Sequence, residues 1–191
     1  MTGAPDAGFA DPVHDAQRCF RDVLTALSRP GTLARVGGVA PPAPLCVAAG
    51  AVLLTLADHE TPLWIDPAGS GARDWLAFHC GTAGTAEPGA CVFGLAQTLP
   101  DLARFSAGTH EEPETSATIV CQVESFDHGR VYRLEGPGLR EPATLTVAGL
   151  PEDFAAIWAR NRVLFPRGID LILCAGDRLA ALPRTVSIQE V

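Results

Sequence analysis

The chain has 191 residues, is 47% hydrophobic and carries a formal net charge of −8. That length and apolar content predict one folded domain over 1–191 and exclude a disordered tail. An acidic balance with no basic stripe disfavours a nucleic-acid binder, and the longest apolar stretch, Leu45 to Ala57, falls short of the roughly 20 residues that cross a bilayer.

Met1 to Pro12 has neither the basic region nor the apolar core of a signal peptide, so the chain is expected in the cytoplasm. Asp11-Pro12 is a helix start, with Asp as cap and Pro at the first position. Val13, Ala16, Phe20, Val23, Leu24 and Leu27 then recur at helical spacing until Pro30-Gly31 stops the helix. Thr32 to Val36 reads as a short strand and Gly37 to Pro44 as a connector. Leu45 to Ala57 is apolar nearly all round, which predicts a buried helix. Pro62 to Asp66 reads as a buried strand, Gly69 to Gly71 as a loop and Arg73 to Phe78 as a short helix.

Ala90 to Ala96 is a further strand, Leu102 to Phe105 a helical turn, and Glu111 to Ser116 an acidic loop. Ala117 to Val123 and Val131 to Leu134 have strand character, with Asp127-His128-Gly129 expected as the turn between them. Gly136-Pro137-Gly138 turns the chain after a strand. Pro151 to Val163 is a helix. Two apolar strands follow, joined by Ala175-Gly176-Asp177-Arg178. Helices interspersed among strands predict an α/β fold: a three-layer α-β-α domain around a mixed sheet.

All 14 basic residues are arginine. Without lysine there is no P-loop lysine for phosphates and no Schiff base for pyridoxal phosphate. The six cysteines, at 19, 46, 80, 91, 121 and 174, are scattered singly through apolar runs. They lack the close pairs that clamp zinc or an iron–sulfur cluster, so no metal and no cofactor is expected. Gly-x-Ser-x-Gly, His-Glu-x-x-His and Gly-x-Gly-x-x-Gly are also absent, and no catalytic residue is assigned.

Three blocks stand in order along the chain. The first is Asp15-Ala16-Gln17, Phe20-Arg21 and Leu24, leading to Leu27-Ser28-Arg29-Pro30-Gly31. The second is Val52 to Asp58, leading to Thr61-Pro62-Leu63-Trp64. The third runs from Phe165 to Thr185 and includes Asp170 and Arg184. Weaker echoes are Phe78-His79, Ser106 to Thr109, and Arg133-Leu134 with Gly136 and Gly138. Together they resemble the PhnH family, subunits of the bacterial carbon–phosphorus lyase core complex. The resemblance implies a fold similar to the large domain of pyridoxal-phosphate-dependent transferases, without the cofactor. It also implies a homodimer when alone and the other core subunits as partners. The complex joins an alkylphosphonate to the ribose of ATP, and this chain would serve it as a non-catalytic or co-catalytic subunit.

Several residues are candidates for ligand binding. Arg29 precedes a helix-ending Pro-Gly, Arg133 lies within a strand and Arg184 follows Pro183 at a strand end. A guanidinium fork holds a phosphonate or carboxylate through two hydrogen bonds. The alternative is that these arginines pair with Asp58, Glu135 or Asp170. Asp170 is a charge within an apolar strand and needs a partner, Arg184 or Arg167. His79 ends a predicted helix, where it either caps the last carbonyls or serves a site. These candidates also support a second reading, a stand-alone phosphonate- or nucleotide-binding protein with an arginine-lined cleft.

Overall fold

The computed structural model describes residues 7–191; the reading of the first six residues lies outside it. Helix α1 spans Pro12–Ser28. Asp11 caps it by accepting the His14 N–H at 3.2 Å, and Arg29 closes it by donating its own N–H to the Thr25 carbonyl at 2.9 Å. Strand β1 (Ala34–Arg35) and helix α2 (Val47–Leu56) follow, then β2 (Leu63–Ile65). A 3-10 turn over Pro67–Ala72 leads into α3 (Arg73–Cys80) and β3 (Gly84–Thr85). Next come β4 (Phe93–Ala96), β5 (Thr118–Gln122), β6 (Ser125–Glu135), β7 (Ala143–Ala148) and α4 (Phe154–Arg162). The chain finishes with β8 (Asp170–Ala175), β9 (Arg178–Leu182) and β10 (Ser187–Glu190).

Seven strands form a mixed sheet in the order β1-β9-β8-β5-β4-β2-β3. Strands β3, β2, β4, β5 and β8 are parallel; β9 and β1 add antiparallel at one edge. The apolar run of β8 shows why both faces must be covered. Leu171 and Leu173 point into one core, Ile172 and Cys174 into the other, and all four are fully buried. Helices α1, α2 and α3 cover the second of these faces. Helix α2 has no polar side; Ala48, Ala49, Ala51, Val52 and Leu53 are all at 0% exposure, as its all-round apolar sequence predicts.

The other face differs from the α-β-α expectation. It is covered mainly by a second, three-stranded antiparallel sheet, β10-β6-β7, with α4 its one helix among the described residues. Phe126, Tyr132, Leu134, Leu145, Val147 and Ile188 of this sheet pack with Phe154 and Trp158 of α4. Trp158 donates its indole N–H to the Val186 carbonyl at 2.8 Å, which satisfies the polar end of a fully buried ring.

One further expectation needs correction, and two relations were left open by the sequence. Asp127-His128-Gly129 is no turn between strands: β6 runs straight through it as a bulge, with a register shift against β7 between Ser125 and Arg130. Gly129 has φ +118 there, and a Cβ would lie 2.3 Å from the Val147 carbonyl oxygen, so glycine lets the bulge close. Strands β5 and β6 do not pair; they belong to different sheets. On α1, Cys19, Val23 and Ala26 are the buried face, while Val13, Phe20 and Leu24 face outward at 62%, 45% and 48% exposure.

Candidate functional site

Strand order places the candidate site. From β2 the chain passes through α3 to β3 on one side, then returns to β4 on the other side of β2 and continues outward to β5 and β8. The winding therefore reverses between β2 and β4. A crevice opens at the carboxyl ends of parallel strands at such a point. Asp66 follows β2 and Gln97 follows β4, and the two are joined: Asp66 Oδ2 accepts the Gln97 backbone N–H at 2.6 Å. Asp66 Oδ1 accepts the Gly69 N–H at 2.6 Å.

Gln122, the last residue of β5, continues the network. Its Oε1 accepts the Cys46 N–H at the start of α2 at 2.5 Å; its Nε2 donates to the Pro44 carbonyl at 3.0 Å and to Gln97 Oε1. The backbone N–H of Cys46 can only donate, so it orients the Gln122 amide, and that in turn orients Gln97. The chain of bonds ends at Gln97 Nε2, which is buried with no hydrogen-bond partner among the described residues. A cavity of about 310 Å³ opens here, lined by Cys46, Gln97, Thr98, Gln122, Glu124 and Cys174 among others. Burial pushes the Cys46 thiol up and holds that of Cys174 well above the usual range. Neither is an activated nucleophile. The cavity offers carboxamides, a hydroxyl and one exposed carboxylate, a set suited to holding a ligand without bonding to it covalently.

The candidates named from sequence do not converge on this crevice. Arg29 is exposed at the C-cap of α1. His79 lies in the last turn of α3, its ring 5.0 Å from those of Trp75 and Phe78, and Gly81 caps the helix by donating its N–H to the Ala77 carbonyl. Arg133 is exposed on β6 and meets Glu135 at 2.8 Å, one of the carboxylates anticipated for it. Asp58 meets no arginine among the described residues; it accepts the Glu60 N–H at 2.9 Å within its own loop. Asp170 and Arg184 do meet, through a two-pronged ion pair at the amino end of β8, the end of the parallel sheet opposite the crevice. Asp170 opens its strand and does not interrupt it.

Sequence reasoning missed Asp66, Gln97 and Gln122. Asp66 ends its predicted strand, Gln97 lies one residue past its own and Gln122 is next to last in its own, and those positions were the available signal. Among the described residues no group of three or more His, Cys, Asp or Glu is arranged to hold a metal ion, and no helix is long and apolar enough to cross a membrane.

The family described as "Bacterial phosphonate metabolism protein (PhnH)" matches residues 7–189. The chain is 43% identical over 187 residues to "Alpha-D-ribose 1-methylphosphonate 5-triphosphate synthase subunit PhnH" of Rhizobium meliloti (strain 1021), covering 95% of this chain and 94% of that one. It is 33% identical over 172 residues to "Putative C-P lyase subunit protein HtxG" of Stutzerimonas stutzeri, covering 90% of this chain and 85% of that one. Both matches run through the strands that build the crevice. The lysine-free α/β chain belongs to the PhnH family of bacterial phosphonate metabolism proteins.

Proposed function

We propose that the chain is a subunit of the carbon–phosphorus lyase core complex, needed for forming alpha-D-ribose 1-methylphosphonate 5-triphosphate from ATP and methylphosphonate. The observation that carries this reading is the 43% identity, across nearly the whole of both chains, with a subunit of that synthase. The chain acts in the cytoplasm as one domain and supplies no nucleophile. In support, the thiols at its crevice are held in the neutral form, and Asp66 spends both carboxylate oxygens on backbone N–H groups.

The reading includes assembly. Val13, Phe20 and Leu24 form an outward apolar stripe on α1, which supports a docking face for a partner subunit, or for a second copy when the chain is alone. It also includes descent of the sheet from the large domain of pyridoxal-phosphate-dependent transferases, with the crevice retained and the cofactor lysine lost. The charge of −8 supports a partner other than nucleic acid.

Reconstitution tests the proposal. With the other core subunits, ATP and methylphosphonate, product forms only when this chain is added; equal product without it overturns the reading. Light scattering of the isolated chain should give twice 20.0 kDa. Turnover by the isolated chain would favour the stand-alone reading.

A further inference from the structure

We infer that a second cavity, at the carboxyl ends of β2 and β3, is a site for the oxyanion of an organic phosphorus compound, held by Arg73 and Arg104. The inference rests on the phosphonate reading above and names residues for it. The cavity measures about 660 Å³ and is lined by Trp64, Ile65, Pro67, Arg73, Arg104 and the short strand Gly84-Thr85 with Ala86. It holds two arginines and no carboxylate. Neither arginine forms an ion pair among the described residues.

Charge makes this combination informative. In a chain of net charge −8 another cavity with two arginines also holds acids: the cleft containing Arg18 and Arg35 also holds Asp15, Asp22 and Asp177, whereas this one pairs two arginines with none. Here the nearest acids in sequence are turned to other uses. Asp66 lies between Ile65 and Pro67 but gives its oxygens to the Gly69 and Gln97 N–H groups. Asp101, three residues before Arg104, accepts the Ala103 N–H at 3.1 Å, and it, Asp74 and Glu87 are exposed and outside the lining. The two guanidinium charges therefore face an unfilled demand for an anion.

The shape agrees. Arg73 comes from the start of α3 and Arg104 from the turn after β4, so two separate elements bring their charges to one space. A Cβ on Gly84 would lie 3.1 Å from Arg73 Nη1; the glycine leaves room for the guanidinium to lie against β3. Trp64, Ile65 and Pro67 supply an apolar wall beside the charges. Two planar forks next to an apolar wall suit a tetrahedral phosphorus oxyanion carrying an organic group, either a phosphonate or the phosphate chain of a nucleotide.

The test is calorimetry of the full chain with inorganic phosphate, methylphosphonate and ATP. Methylphosphonate or ATP should bind more tightly than phosphate, and which of the two wins identifies the source. Arg73→Gln and Arg104→Gln should each weaken binding by about tenfold or more. Arg73→Lys should fall between wild type and Arg73→Gln, because it keeps the charge and loses the fork, and Arg140→Gln, an exposed arginine outside the cavity, should bind as wild type does. All these side chains are exposed, and circular dichroism confirms folding. No binding, binding unchanged in both glutamine variants, or phosphate bound as well as the organic ligands overturns the inference. The reconstituted complex separates this from the subunit reading. If wild type restores product and the double variant does so equally, the site is wrong and the subunit reading stands. If wild type restores none, the subunit reading fails while calorimetry still judges the site.

Discussion

Arg184 grips Asp170 from three positions: its backbone N–H donates to Oδ1 at 2.6 Å, its Nε lies 3.1 Å from Oδ1 and 3.2 Å from Oδ2, and its Nη2 donates to Oδ2. The remaining arm, Nη1, donates to the Pro113 carbonyl at 2.6 Å. One guanidinium thus ties the start of β8 and the loop after β9 to the acidic loop around residue 113. The side chains are 14% and 18% exposed, so removing one partner strands a mostly desolvated charge.

Asp170→Ala should therefore destabilise the fold by about 3 kcal/mol, the lower end for a broken buried pair. In a domain of this size that lowers the melting temperature by roughly 6–12 °C. Arg133→Ala removes an exposed pair with Glu135 and should cost no more than about 0.5 kcal/mol. Denaturant titration of both variants checks the contrast. Equal effects would show that the Asp170 pair is no anchor, and an unchanged Asp170→Ala melt with lost pathway activity would point to a chemical role.

Acid stability should depend on Asp127. Arg178 holds it through two hydrogen bonds, one at 2.8 Å, and this depresses its pKa below the usual aspartate value. A depressed carboxylate contributes stability above its unfolded pKa, and the contribution disappears as pH falls through the folded value. Wild type should thus exceed Asp127→Asn in stability at neutral pH, with the gap closing as pH falls below the ordinary aspartate range. Urea midpoints at several pH values measure it; a gap that widens in acid would reverse the assignment.

The thiols should be inert in the native protein. Burial pushes Cys80 and Cys91 up to about 11 and Cys121 up to about 12. At pH 8 a chromogenic disulfide reagent should leave Cys91, Cys121 and Cys174 unmodified for as long as the fold persists and label all six cysteines in denaturant. Mass spectrometry locates the labels. Fast labelling of Cys121 or Cys174 in native protein would contradict this burial.

Two glycines should respond oppositely to alanine. Gly138 has φ +87, and a Cβ there would lie 1.9 Å from the Ser28 carbonyl oxygen, so the turn after β6 packs directly against the end of α1. Gly138→Ala should cost more than about 1 kcal/mol, the ordinary penalty of alanine in the left-handed region, because it adds a backbone clash. Gly37 meets nothing within 4 Å and has no positive φ, so Gly37→Ala should be neutral or stabilising by up to about 1 kcal/mol. Thermal melts distinguish the two.

The sequence by itself determined the elements whose cause is local. Asp11-Pro12 and Pro30-Gly31 bound α1, the all-apolar run made α2 buried, and the hairpin of β8 and β9 was legible from its apolar flanks and central turn. That Asp170 needs a partner was legible too, with Arg184 as one of two choices, and Glu135 was one of three carboxylates offered to the arginines; the structure selected both pairs. The absence of lysine was complete information about the chemistries it removes. What only the tertiary structure decided depends on residues far apart in the chain. The outward stripe of α1 and its buried face are both apolar, so periodicity alone could not say which meets the sheet. The bulge in β6 looks like a turn until β7 lies beside it. Asp66, Gln97 and Gln122 are ordinary strand-end polar residues in sequence; the parallel register of β2, β4 and β5 brings them to one edge and links them. Arg73 and Arg104 likewise become a pair only because the winding reverses at β2 and sets the start of α3 beside the turn after β4.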